Sequence, residues 1–198
     1  METTSFDQPS TRPPVRLETA RLTLRPFEER DLEPFLTYRN DPEVSRYQGW
    51  SEPYTREMAV DFVHWMSTLQ PGEPGAHYQI ALERKAAPGL IGDLMFYRLK
   101  RDPRQAEIGF TLAREFQGQG YAAEALTCLL EYLFSEFQLH RVCANCDPEN
   151  LTSARLMERV GMRREGLFVE SIWFKGRWGD ELWYAILRRE WEQRRLEH

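Results

Sequence analysis

Gln117-Gly118-Gln119-Gly120-Tyr121-Ala122 stands between an alternating run, Glu107-Ile108-Gly109-Phe110-Thr111-Leu112, and a periodic apolar stretch carrying Ala122, Ala125, Leu126, Leu129, Leu130, Leu133, Phe134 and Phe137. The first run has the period of a strand and the last has one broad helical face. Glycines let a backbone approach a ligand closely, and a helix start offers unpaired N–H groups to an anion. No Ser, Thr, Asp or Asn stands at the helix start to cap those donors. The segment therefore reads as a phosphate cradle.

Two ligands fit such a cradle, and a plain loop is the third reading. Gly118-x-Gly120-x-x-Ala123 matches a dinucleotide fingerprint, with Asp147 at the end of the next strand as the acid for a ribose hydroxyl. Three features oppose it. Glu107 sits in the strand, whereas the first strand of a doubly wound sheet is buried on both faces and apolar. Ala113 to Gln117 is too long a lead-in for a tight first turn. More than 100 residues precede the motif, and they do not read as βαβ units. The competing reading, Gln117-x-x-Gly120-x-Ala122, is a different type of pyrophosphate loop.

Outward from the loop, Tyr78–Glu83, Leu90–Tyr97 and Ala106–Leu112 read as strands joined by short Pro- or Gly-containing links, an antiparallel meander. Upstream, Arg21–Arg25 alternates as a strand. A helix from about Arg30 to Asn40 ends at Asp41-Pro42, and a second helix begins after Thr55, its N-cap, with Ala59, Phe62, Val63 and Met66 on one face. Between them lies the aromatic loop Tyr47-Gln48-Gly49-Trp50. Downstream come a strand at Arg141–Cys146, a helix at Leu151–Val160 ended by Gly161, and strands at Leu167–Phe174 and Glu181–Leu187 around Lys175-Gly176-Arg177-Trp178-Gly179. Residues 1–14 are polar and rich in Pro, Thr and Ser and read as a flexible tail. Residues 15–195 read as one domain, and 196–198 as the start of an expression tag.

With 198 residues, 41% hydrophobic and 29% charged, the chain has the length and composition of a globular domain with a sizeable core. A net charge of −5 argues against a nucleic-acid partner held by bulk electrostatics. No apolar run approaches the length of a membrane span and no apolar leader is visible, so a soluble, cytoplasmic protein without a membrane partner is expected. Cys143-Ala-Asn-Cys146 lies in a strand rather than at a helix start and has no second pair; it reads as reduced, mostly buried thiols. The histidines are scattered and no metal is expected.

The ordered set Glu107–Leu112, Gln117–Ala125, Asn150-Leu-Thr-Ser153-Ala-Arg-Leu156 and Gly161-Met162, with the opening Leu17–Pro26, resembles the GNAT superfamily of N-acetyltransferases. Within it, the match is to the Rim-type branch, named for ribosomal-protein alanine N-acetyltransferases. The resemblance covers most of residues 15–190. It implies an α/β (α+β) fold: a central mixed, mostly antiparallel twisted sheet of about seven strands flanked by about four helices. It also implies a V-shaped splay between two parallel strands, here Ala106–Leu112 and Arg141–Cys146. It implies acetyl-CoA as co-substrate. The amides of Gln117, Gly118, Gln119, Gly120, Tyr121 and Ala122 would hold its pyrophosphate, backbone groups of Phe110, Thr111 and Leu112 its pantetheine arm, and Asn150 and Ser153 would touch it as well.

Direct attack by a neutral amine needs a base, and Glu107, in the strand beside the acetyl group, is the candidate; the alternative is a solvated strand residue. Family members often place a tyrosine proton donor where this chain has Met157, which cannot donate; Ser153 or water would have to serve. Tyr47, Trp50, Trp173 and Asp180 are expected at the acceptor site, where aromatics and a carboxylate suit a cationic amine; Trp173 and Trp178 could instead fill a core or a dimer seam. The partner is then a small-molecule amine or a protein N-terminus, with monomer and homodimer both open. A turnover-silent acyl-CoA-binding module is the rival function, and Glu107 together with an intact loop favours the enzyme.

Overall fold

The computed structural model describes residues 12–196; the expected tail at 1–14 lies largely outside them, as do Glu197 and His198. Eight strands form one sheet in the order β1-β2-β3-β4-β5-β6-β8-β7. These are β1 (Leu17–Glu18), β2 (Leu22–Arg25), β3 (His77–Arg84), β4 (Leu90–Arg98), β5 (Gln105–Leu112), β6 (Arg141–Cys146), β7 (Arg163–Phe174) and β8 (Arg177–Leu187). The meander holds: β3–β4 and β4–β5 pair antiparallel. Only β5–β6 pairs parallel among the described strands. That topology removes the dinucleotide reading, because β5 runs antiparallel to β4 and a 3-10 turn, Arg114–Phe116, intervenes before the glycines.

Six helices flank the sheet: α1 (Leu32–Arg39), α2 (Pro42–Ser45), α3 (Arg56–Thr68), α4 (Tyr121–Glu136), α5 (Leu151–Arg159) and α6 (Arg188–Leu196). Two exceed the four expected, as does the short strand β1. Asp41-Pro42 does end α1, but it also starts α2: the Asp41 carboxylate accepts from the Glu43 amide at 3.0 Å, and Pro42 sits where its missing N–H costs nothing. Helix α6 is nearly all polar and is anchored by one buried residue, Trp191, stacked on Phe134. The Thr55 cap and the Gly161 stop are where the sequence puts them. None of the described helices is long and apolar enough to cross a membrane.

Each sheet face has its own core. On one, α4 and α5 press Leu126, Leu129, Leu130, Leu133 and Met157 against Phe96, Ala106, Ile108 and Val142. Removing any one of those leucines to Ala costs about 2–5 kcal/mol. On the other face, α1 and α3 pack Phe35, Tyr38, Ala59 and Phe62 over Ala81 and Leu90. This second layer draws on β3 and β4 but not on β5, β6 or β8, whose same face carries the half-buried Glu107, Glu181 and Trp183. Beneath it the Arg25 guanidinium, fully buried, is held bidentately by Asp31 at 2.7 and 2.8 Å and by Glu83 at 2.7 Å. Tyr38 donates to the buried Asp93 carboxylate at 2.5 Å.

Candidate active site

The parallel strands stay together for three residue pairs, Gln105–Arg141, Ala106–Val142 and Glu107–Cys143, and then part. Each is held by its outer neighbour: β5 follows β4 out to the pair Leu112–Gly92, and β6 follows β8 out to Cys146–Leu182. The gap thus opens immediately beyond Glu107. A cleft of about 530 Å³ lies on the diverging side, and a groove of about 670 Å³ lies over Glu107 on the uncovered sheet face. Both are of the size that takes a small ligand.

The diverging cleft is mostly a backbone site. Gly118 and Gly120 have φ of 73° and 82°, the left-handed region that favours glycine, and Gly120 occupies the N-cap position of α4 with no side-chain cap. Among the described residues, the amides of Gly118 through Ala123 have no acceptor, and all of these residues but Gln119 line the cleft at the positive end of a four-turn helix. The loop is pinned from behind. Gln117 Nε2 donates to Leu112 O at 2.9 Å, and Arg21 Nη1 to Gln119 O at 2.9 Å. Glu124, in the first turn of α4, accepts from Thr19 Oγ1, the Arg21 amide and Arg21 Nε. These contacts from the β1–β2 turn were not visible in the sequence, because a partner about 100 residues away leaves no local signal.

On the β5 wall, Phe110 O accepts from Gln48 Nε2 at 3.3 Å and Leu112 O from Gln117 Nε2. Those carbonyls face the gap. Both backbone groups of a strand residue point the same way, so the Phe110 and Leu112 N–H groups face it too, while those of Thr111 turn to β4. Across the cleft, Asn150 caps α5 by accepting from the Ser153 amide at 3.1 Å, and the Ser153 hydroxyl is half-buried in the cleft lining. Met157 is fully buried in the core and lines neither cavity. The short helix α2 crosses near the mouth, held by Asp41–Arg114 at 3.1 Å, Arg46–Glu149 at 3.2 Å and Lys175 Nζ to Ser45 O at 2.9 Å.

The groove is a side-chain site. Glu107 is half-buried on its floor, accepting from Asn145 Nδ2 at 3.2 Å, with Tyr97 opposite it on β4 and Cys143 opposite it on β6. Glu181, Trp183 and Phe168 line the far side. Burial raises the Glu107 pKa, and the Glu181 carboxylate adds to the rise against the Asn145 hydrogen bond. A carboxylate so placed is a better base near neutral pH than an ordinary glutamate.

The expected acceptor residues scatter. Tyr47 is half-buried in the cofactor-side cleft. Trp50 stacks on the Arg39 guanidinium at 3.8 Å and donates to Arg39 O at 2.9 Å. Trp173 and Trp178 pair edge-to-face at 5.5 Å on the β7–β8 hairpin, 61% and 57% exposed, so they fill no core of this chain. Asp180 accepts from the Glu170 amide at 2.7 Å. Trp50, Trp173 and Asp180 line neither cavity. Glu181, which the sequence sets with Asp180 beside the second aromatic segment, lies near Glu107, as do Trp183, Phe168 and Asn145, which sequence reasoning did not place there. The three thiols are unpaired; Cys143 and Cys146 are buried. Among the described residues no group of three or more His, Cys, Asp or Glu could hold a metal.

The family model of the acetyltransferase (GNAT) domain matches residues 21–163. An uncharacterized N-acetyltransferase of Bacillus subtilis, YnaD, is 37% identical over 179 residues, covering 89% of this chain and 99% of that protein. The [ribosomal protein uS5]-alanine N-acetyltransferase of Escherichia coli is 28% identical over 193 residues, covering 94% and 97%. A crystal structure of a GNAT-family acetyltransferase from Bacillus anthracis superposes with a TM-score of 0.78 at 33% identity, covering 88% of this chain and 99% of that one. With a splayed parallel pair, a free-amide loop at the open end and this extent of similarity, the chain belongs to the GNAT acetyltransferase family and is an acetyl-CoA-using acyltransferase.

Proposed function

We propose that the protein transfers the acetyl group of acetyl-CoA to a primary amine, a protein N-terminus or a small amine, by direct attack on the thioester, with Glu107 as the base. The observation that carries this reading is Glu107 itself. It is half-buried in the groove lining, burial raises its pKa, and it belongs to the last residue pair before the strands part.

The chain's residues divide the work. The amides of Gly118–Ala123 and the dipole of α4 suit a pyrophosphate, and the Arg155 and Arg159 side chains, which line the cleft and have no ion-pair partner among the described residues, suit further phosphate charge. Phe110 and Leu112 offer backbone groups to an amide-rich arm, and a Phe110 N–H directed at the thioester oxygen would stabilise its developing charge. The acceptor enters from the groove. As its nitrogen bonds to the acetyl carbon, the C–S bond breaks and the amine proton passes to Glu107, directly or through one water. The CoA thiolate leaves on the cleft side, where the Ser153 hydroxyl or water supplies its proton, since Met157 cannot.

Release of free CoA on incubation with acetyl-CoA and a panel of peptides, amino acids and polyamines tests this. Turnover that requires an amine and yields the N-acetyl product is expected. Silence across the panel, with acetyl-CoA still raising Tm, would replace the enzyme with an acyl-CoA-binding module.

A further inference from the structure

The charge pattern of the acceptor groove, which rests on the acetyl-transfer reading above, narrows the acceptor class. The inner end is acidic, with Glu107 and Glu181 on the floor between the aromatic walls Tyr97, Phe168 and Trp183. The outer end is basic, formed by Lys100 and Arg101 at the β4–β5 turn. Nearby arginines are committed. Arg98 donates to Pro103 O and Gly72 O, Arg104 pairs with Asp102, and Arg141 pairs with Glu165. Lys100 and Arg101 have no ion-pair partner among the described residues. Both line the same groove as Glu107 and Glu181.

The two ends are separated in space. Tyr97 is opposite Glu107 and Leu99 is opposite Gln105, so Lys100 and Arg101 lie in the turn beyond, more than two extended residues from Glu107. At about 3.3 Å per extended residue, that is upwards of about 7 Å. A free amino acid carries its amine and carboxylate too close together to reach both ends. A polyamine would bring a second cation against Arg101. An extended peptide whose α-amine lies at Glu107 has its third or fourth side chain level with the basic turn.

We propose that the acceptor is a peptide N-terminus carrying an acidic side chain at its third or fourth residue, read by Arg101 and Lys100.

The test uses the full chain, acetyl-CoA and synthetic hexapeptides that differ only in having Asp or Lys at positions three and four, with spermidine as a third acceptor. The acidic peptide should be favoured by about tenfold in kcat/KM, mainly through KM, and the preference should shrink at 1 M salt, where Debye screening is about 3 Å. Lys100→Glu with Arg101→Glu, both exposed positions, should invert the preference. Equal rates for the two peptides, or a preference unmoved by the charge reversal, would overturn the assignment. Turnover of spermidine with neither peptide acetylated would overturn it while leaving acetyl transfer intact, and no turnover of any amine would overturn both.

Discussion

The cleft on the diverging side and the groove over Glu107 are built from different parts of the chain. The cofactor-side cleft is made largely by main-chain groups from one local segment: two left-handed glycines, a run of free amides and the start of α4. The groove over Glu107 is made by side chains from five strands, Tyr97, Glu107, Asn145, Phe168, Glu181 and Trp183, that come together only in the folded sheet. A main-chain site is tied to local backbone conformation and tolerates change in its side chains. A side-chain site can be altered one residue at a time without disturbing the fold. This is a physical reason for one scaffold to keep a co-substrate while its acceptors differ.

That contrast can be broken by substitution. The largest effect is expected on the groove side. Glu107→Gln should lower kcat/KM by about 10²–10⁴, the usual contribution of a general base, in steady-state assays at pH 7.5. Next is the cleft side. Gly120 has φ 82°, and a Cβ there would lie 3.3 Å from the Arg21 guanidinium, so Gly120→Val must rearrange the loop. A left-handed non-glycine residue alone costs about 1–2 kcal/mol, and a β-branched one more, so acetyl-CoA should bind at least about tenfold more weakly by calorimetry.

A smaller effect distinguishes the neighbours of Glu107. The Glu181 charge raises the Glu107 pKa and the Asn145 hydrogen bond lowers it. Since the base works deprotonated, Glu181→Gln should move the acid limb of the kcat/KM profile to lower pH, and Asn145→Ala should move it higher. The smallest is in stability. A carboxyl whose folded pKa is raised costs nothing below its unfolded pKa and destabilises the fold as pH rises through the folded value. Glu107→Gln removes that cost, so its Tm should match wild type at pH 4 and exceed it at pH 8. A Tm gap that closes as pH rises would contradict the sign of the shift.

Much of the fold was legible because it is periodic. The alternation of β3, β4 and β5 and the apolar face of α4 are local patterns, and the glycine loop between them is a contiguous motif. What escaped lacked such patterns. β1 is two residues long, α2 is one turn that begins at a Pro normally read as a stop, and α6 buries only Trp191. β7 begins at Arg163 rather than Leu167 because its first three residues are charged and exposed, so no alternation announces them. In the candidate site, the positions of Glu107 and the loop were legible from the strand-loop-helix order. The lining of the groove over Glu107 was not. Aromatic character pointed to Trp50 and Trp173, but Trp50 is taken up by Arg39, and the groove's own walls come from register between β6, β8 and β7 that one sequence does not reveal.

In the proposed division of labour the loop holds the co-substrate and Glu107 sets the chemistry. Calorimetric titration of Glu107→Gln with acetyl-CoA separates the two roles. A Kd within about twofold of wild type, a difference under about 0.5 kcal/mol, is expected in a protein that no longer turns over. A tenfold loss of acetyl-CoA affinity would contradict it, showing that Glu107 belongs to cofactor binding and that the two cavities are not separate in function.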